Sequence, residues 1–383
     1  MSLKLSKRSD IPEFKALDLL RSVNERAIQG EDIKRLEAGQ PCFGAPAPAL
    51  EYAKQLIDEN PIQGYTEAMG LLPLRERISG YYKNLYNCDV DPKNIAITIG
   101  ASGAFLLGFL AVFNVGDKVA IAAPGYPAYR NIFKALGVEV IEIETTEATN
   151  YQPYASTLET LDTDIDGLLI CSPSNPTGTI IPDDELKKIV DWCKQKNVRL
   201  IADELYQRVT YGTTAQTVLK YTKDALVMNS FSKYFALTGW RLGWMVMPED
   251  VTPRVKALTE SMFVSPPTLS QHVAYKTFEH MDVLDGYVEK YKRNLEILQT
   301  ELPKAGFTNL SNTQGAFYLY ADIHHLTNDS ETFCKRMIDE AGVACTPGTD
   351  FDLTRGAGTM RISFAGHEEQ IIEACNRLKD WKK

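Results

Sequence analysis

A chain of 383 residues, 44% hydrophobic and 24% charged, has the composition of a globular protein and more length than one ordinary core needs, so two domains, or one large domain with a smaller companion, are expected. Its formal net charge of -9, with only short basic clusters such as Lys187-Lys188, argues against nucleic acid as a partner. No apolar stretch approaches the roughly 20 residues that cross a bilayer, and the opening MSLKLSKRSD lacks the apolar core of a secretory signal, so the expected location is cytoplasmic, with no membrane partner.

Residues 10 to 40 carry charged helical patterns that end at Glu37-Ala38-Gly39-Gln40-Pro41, an arm leading into the main body. Helices are expected at about 48 to 59 and 71 to 86, joined by the loop Pro61-Ile62-Gln63-Gly64-Tyr65. Then the main alternation begins. Residues 95 to 99 read as a strand, Gly100-Ala101-Ser102-Gly103 as a loop opening an apolar helix over 104 to 113, 119 to 123 as a strand, and Pro124-Gly125-Tyr126-Pro127 as a turn into a helix towards Leu136. Further strands are expected at 138 to 143, 168 to 171, 198 to 202 and 226 to 228, with an amphipathic helix at 183 to 195.

Strands alternating with helices predict an α/β fold of three layers: a buried, mostly parallel sheet with helices on both faces, whose ligands bind at the carboxyl ends of the strands. After about residue 283 the pattern changes to a long charged helix at 287 to 302 and short strands at 316 to 320 and 360 to 364, a smaller α+β unit. The expected division is residues 48-282 as the large domain, with residues 1-47 plus 283-383 forming an N-terminal arm and small C-terminal domain. Seven scattered cysteines with no C-x-x-C pair read as reduced thiols, and the adjacent rings of His324 and His325 point apart, so neither a disulfide framework nor a metal site is expected.

The polar residues able to do chemistry fall just after strands. Ser172 to Thr179 follows one, Asp203-Glu204-Leu205-Tyr206 the next, and Ser230-Phe231-Ser232-Lys233 the third. Lys233, among hydroxyls and aromatics, sits where an amine is half enclosed and loses proton affinity, the condition for a nucleophile. Arg241, within Gly239-Trp240-Arg241-Leu242-Gly243, reads as a fixed guanidinium in a tightly packed turn. Lysine, serines and arginine together suggest a ligand that bears a carbonyl and a phosphate.

The runs SPSNPTG (172-178), ADELY (202-206), SFSK (230-233), GWRLG (239-243) and RISFA (361-365), in this order, resemble the class I/II aminotransferases, pyridoxal-phosphate enzymes of fold type I. Weaker matches at Gly39-Gln40-Pro41, Tyr65 with Gly70 and the 100-104 loop extend the likeness across nearly the whole chain. The resemblance implies a large domain that binds pyridoxal 5'-phosphate as an imine on Lys233, whose freed amine then carries a proton between the substrate Cα and the cofactor C4'. Asp203 would keep a proton on the pyridine nitrogen, Tyr206 and Asn175 would donate to the phenolic oxygen, and the Tyr126 ring would stack on the pyridine. Ala101 and Ser102 at a helix start, with Ser230, Ser232 and Arg241, would hold the phosphate. By the same resemblance Tyr65 reaches the phosphate of the neighbouring subunit in a homodimer, and Arg361 clamps the substrate carboxylate beside Asn175. Gly39 marks a point where a side chain would collide with substrate, and Glu204 receives no role.

The implied activity moves an amino group from an L-α-amino acid to a 2-oxo acid, with 2-oxoglutarate or pyruvate as acceptor. A C-S lyase or cyclase on the same scaffold is the alternative, and a non-catalytic cofactor-binding sensor a remote one. Ser102 stands where one dicarboxylate-specific subgroup places a lysine. Cys42 stands where relatives carry an aspartate or another polar residue, and it reads first as a buried small hydrophobe.

Overall fold

Along the strands of the chain's middle third, successive apolar residues point to opposite faces, and both faces are covered, as a buried parallel sheet requires. In the computed structural model, which describes residues 3-382, a short strand β1 (Lys34–Arg35) precedes seven strands of one sheet. These are β2 (Ile95–Ile99), β3 (Lys118–Ala123), β4 (Glu139–Glu144), β5 (Gly167–Cys171), β6 (Arg199–Asp203), β7 (Leu226–Ser230) and β8 (Leu242–Val246). Their order is β2-β8-β7-β6-β5-β3-β4, parallel throughout except that β8 runs antiparallel to both neighbours.

Ile97, Leu168, Ile170, Val227 and Trp244 face one buried cluster, shared with the helices Ala47–Glu59, Leu72–Tyr86, Asp183–Lys196 and Thr268–Thr277. Ala96, Ile121, Leu169, Ile201 and Met228 face the other, shared with Gly100–Val112, Pro127–Leu136 and Thr252–Met262. Each such side chain contributes about 1.5–3 kcal/mol by leaving water, so two filled faces fix the sheet between two helical layers.

Four local expectations are corrected. The GWRLG run is a turn only as far as Arg241, which is left-handed at φ 53°; Leu242, Trp244 and Val246 then enter the sheet as β8. Its continuous apolar run is that of a central strand. The segment 100-103 is the first turn of a helix and not a loop, because Gly100, at φ 64°, makes the reversal in one residue. In the smaller unit, the strand expected from 316 begins at 318, since Ala316 is left-handed at φ 54°. The long helix, Met281–Glu301, starts six residues before Tyr287, with Leu284 and Val288 buried on either side of Gly286.

The C-terminal strands are β9 (Asn309–Leu310), β10 (Tyr318–Asp322), β11 (Val343–Ala344), β12 (Thr346–Pro347) and β13 (Thr359–Ser363). Four of them form an antiparallel sheet in the order β12-β13-β10-β9, while β11 pairs in parallel with β1. Beyond β1 the arm continues along β13: the Ser363 N–H donates to the Leu36 carbonyl at 2.7 Å, and Ser363 Oγ to that of Ala38 at 2.6 Å. That pairing carries Glu37 to Gln40 to the carboxyl edge of the large sheet.

Candidate active site

β5, β6 and β7 end at one place, and the polar residues that follow them line a single cavity of about 310 Å³. Asn175, Asp203, Tyr206, Ser230, Ser232, Lys233 and Arg241 come from the large sheet's edge, Ala101, Ser102 and Tyr126 from the two neighbouring helix starts, and Gly39 and Arg361 from the arm and β13. Twelve of the expected site residues are therefore brought together. Tyr65 is not among them: it is 85% exposed and does not line the cavity of its own chain. Cys42 does not line it either, and burial pushes its thiol up to about 11.

Lys233 sits half-buried, its Nζ donating to the Gly39 carbonyl at 2.6 Å and lying between the rings of Tyr206 and Phe317 at 5.6 and 5.7 Å. Burial holds its ammonium below the usual range, an effect partly opposed by Tyr318. Asp203, the last residue of β6, is buried; it accepts from Tyr129 Oη and from the Leu205 N–H at 3.0 Å. Desolvation nonetheless pushes its carboxyl up to about 6. Tyr206 Oη bonds Tyr318 Oη at 3.0 Å.

Arg361 lies at the centre of β13, opposite Tyr320 on β10 and Thr346 on β12. Its guanidinium donates to Asn175 Oδ1 at 3.0 Å, to the Glu37 carbonyl at 2.9 Å and to Thr346 Oγ1 at 3.3 Å, and it stacks over the rings of Tyr318 and Phe351 at 4.4 and 4.8 Å. Its buried Nε has no partner. A cation desolvated this thoroughly, with donor capacity in reserve, is prepared for an anion. Asn175 thus turns its oxygen to Arg361, which leaves its Nδ2 as the donor for the phenolic oxygen expected from the sequence.

At the other end, Arg241 reaches back over the helix Gly100–Val112, whose first residue is Gly100; no side chain caps this helix. A Cβ at Gly100 would stand 2.6 Å from Arg241 Nη2, so only glycine leaves room for the guanidinium at that helix start. Open first-turn N–H groups, a positive dipole end, two serines and an arginine are donors of the kind a phosphate takes. Glycine at 39 has a reason within the protein as well: a Cβ there would meet Tyr318 Oη at 2.5 Å.

Sequence reasoning missed several lining residues. Tyr129, one helical turn after Tyr126, is the donor to Asp203. Tyr318 ties Tyr206 to the arm, its hydroxyl also 3.4 Å from the Gly39 carbonyl. Phe14, Leu17 and Leu20 form an apolar wall; their three-residue spacing was the available signal, masked by the charges between them.

A half-enclosed lysine, a buried aspartate and a phosphate cradle at the carboxyl edge of such a sheet, faced by a buried arginine, define an enzyme that binds a phosphorylated cofactor and an anionic substrate. The family model for aminotransferase class I and II matches residues 31–378, and the chain belongs to that family. Its members depend on pyridoxal phosphate and act on amino acids and 2-oxo acids; the chain is a transaminase. A valine–pyruvate aminotransferase of Mycobacterium tuberculosis is 42% identical, with 100% of this chain and 99% of the relative covered. A crystal structure of an aminotransferase from the same organism, also 42% identical, superposes with a TM-score of 0.97 over 99% of both chains. The aspartate aminotransferase of Thermus thermophilus with maleate is 26% identical, with a TM-score of 0.92 over 99% of this chain and 100% of that one.

Proposed function

We propose that this chain transfers the amino group of an apolar L-α-amino acid to a small 2-oxo acid such as pyruvate, with pyridoxal 5'-phosphate joined to Lys233. The observation that carries the reading is Arg361, buried and with an unpartnered Nε, in the same cavity as Lys233 and Asp203. The residues fit the cofactor: the cradle at Gly100, Ala101, Ser102, Ser230, Ser232 and Arg241 suits its phosphate, Tyr126 its ring, and Asp203 its ring nitrogen. When bound, pyridoxal phosphate supplies an aldehyde that condenses with amines and a ring that accepts electrons from the substrate Cα.

Each residue then has a distinct task. Arg361 binds the substrate carboxylate and, with Asn175 at its side, orients the Cα hydrogen towards Lys233. Lys233, its proton affinity lowered by burial, takes that proton as a neutral amine and returns it. Asp203 holds a proton at the ring nitrogen by its charge, with Tyr129 fixing its orientation. Tyr206 donates from its hydroxyl towards the ring oxygen, and the wall of Phe14, Leu17 and Leu20 excludes water from the reacting atoms.

The same wall supports an apolar donor. Among the described residues lining the cavity the cations are Lys233, Arg241 and Arg361, which leaves none for a second substrate carboxylate, and the 42% relative is named for valine and pyruvate. Residues 48-282 act as the large, cofactor-binding domain and residues 1-47 plus 283-383 as the small one. A homodimer that brings Tyr65 of one copy to the phosphate of the other is supported by the exposure of Ile62 and Tyr65, and a cytoplasmic location by seven unpaired cysteines. Borohydride reduction of the cofactor-bound protein, followed by peptide mass analysis, is expected to leave the pyridoxyl group on Lys233. A label on another residue, or full valine–pyruvate turnover by Lys233→Ala, defeats the reading.

A further inference from the structure

The wall of Phe14, Leu17 and Leu20 belongs to the first turns of the helix Lys15–Ile28, and that helix has no side-chain cap of its own: Phe14 occupies the capping position. The missing cap comes from more than three hundred residues away. Asp350 Oδ2 accepts the Ala16 N–H at 2.8 Å. The carboxylate is buried, 6% exposed, and the groups facing it are the N–H groups of Lys15 and Ala16, the Lys15 side chain and Arg361. An acid at an N-terminus satisfies an orphan donor and meets the positive end of the helix dipole. Here it also ties the helix to a particular turn.

That turn also reaches the Arg361 and Tyr126 sides of the cavity. The next residue, Phe351, lies under the Arg361 guanidinium at 4.8 Å, and its carbonyl accepts the Gly125 N–H at 2.9 Å, beside Tyr126. The Asp350 carbonyl accepts Arg130 Nη2 at 2.5 Å. Phe14 in turn sets its ring edge-on to Tyr126 at 5.7 Å. Helix, carboxylate-binding arginine and ring-stacking tyrosine therefore share one joint.

Resting on the transaminase reading above, we propose that Asp350 is a positioning residue that holds Phe14, Leu17 and Leu20 over the cavity, and that these three side chains determine selectivity for the substrate's apolar side chain. Asp350 touches neither cofactor nor substrate and acts only through the helix. On this proposal the wall meets the side chain of L-valine and not the methyl group of L-alanine.

The test compares the cofactor-bound wild type with Asp350→Ala and Asp350→Asn by steady-state kinetics on L-valine and L-alanine with pyruvate or 2-oxoglutarate as acceptor, and by hydrogen exchange. Asp350→Ala is expected to raise KM for L-valine about tenfold, with kcat within twofold and the L-alanine parameters within twofold or threefold. Amide exchange over residues 14–20 is expected to quicken at least tenfold while β5, β6 and β7 stay protected. Asp350→Asn, which keeps an acceptor oxygen but not the charge, is expected to show the same changes at two- to fivefold; it decides the matter should the alanine variant not fold. Unchanged exchange at 14–20 in the asparagine variant, or an equal loss on both donors, overturns the proposal. Exchange reports on the joint independently of turnover, so a wild type that transfers no amino group would defeat the transaminase reading and leave this one to be judged by exchange alone.

Discussion

Asp203 carries a consequence for stability as well as chemistry. Its carboxyl titrates near 6 in the folded chain against an ordinary 3.8, and desolvation is the cause. Between those values the folded state keeps a proton that the unfolded chain has released, so stability is fully present below about pH 4 and falls as pH rises through 6. At about 1.4 kcal/mol per unit the penalty is about 3 kcal/mol above that window. Asp203→Asn in the cofactor-free protein is expected to gain that amount in urea melts at pH 8, to match wild type at pH 4, and to lose transamination. An equal difference at both pH values would refute the titration account. The neighbouring Glu204 is not a catalytic group: its Oε1 accepts the Val218 N–H at 2.9 Å, and burial pushes its carboxyl up to about 8.

At the scale of elements, the helix Gly100–Val112 couples backbone geometry to cofactor retention. Gly100→Ala puts a Cβ on a left-handed residue, at about 1–2 kcal/mol, and 2.6 Å from Arg241 Nη2. Expected are a modestly lower unfolding midpoint and at least tenfold faster loss of cofactor on dilution, followed by its absorbance. Lower stability with unchanged retention would show that the guanidinium does not depend on that glycine. Most of the elements were legible because buried strands advertise themselves as apolar runs between turn residues, as at 95–99, 168–171 and 226–228. β8 was not legible: Gly239 and Gly243 gave its start the look of a turn, and nothing local says that Leu242 pairs with Ile99. The site was legible as residue types after strands, but not as contacts. Lys233 and Gly39 lie 194 positions apart, the Tyr206–Tyr318 pair depends on packing between the two sheets, and the Asp350 cap on packing of the arm against the smaller one.

Across the whole molecule, two arginines bridge the two sheets from opposite sides. Arg355, from the loop before β13, donates to Glu144 Oε1 at 2.9 Å and to the carbonyls of Thr145 and Ala123 at 3.1 and 2.9 Å, all on the large sheet's edge. Arg130 crosses in the opposite direction to the carbonyls of Asp350 and Phe351. Because Arg361 and the helix Lys15–Ile28 sit on the small-sheet side, this seam sets how firmly the substrate is enclosed. Arg355→Ala is expected to raise KM for donor and acceptor alike by severalfold while kcat changes less than twofold; a fall in kcat at constant KM would place Arg355 in the chemistry and not in the seam.

The pairing of the arm with β11 and β13 also fixes an order of events during biosynthesis. The large sheet is complete once residue 246 has left the ribosome, yet the carbonyls of Glu37 and Gly39, which receive Arg361 and Lys233, have no strand to lie against until residues 343–363 emerge. A nascent chain can therefore bury its large sheet before Arg361 and Lys233 meet the arm carbonyls they donate to.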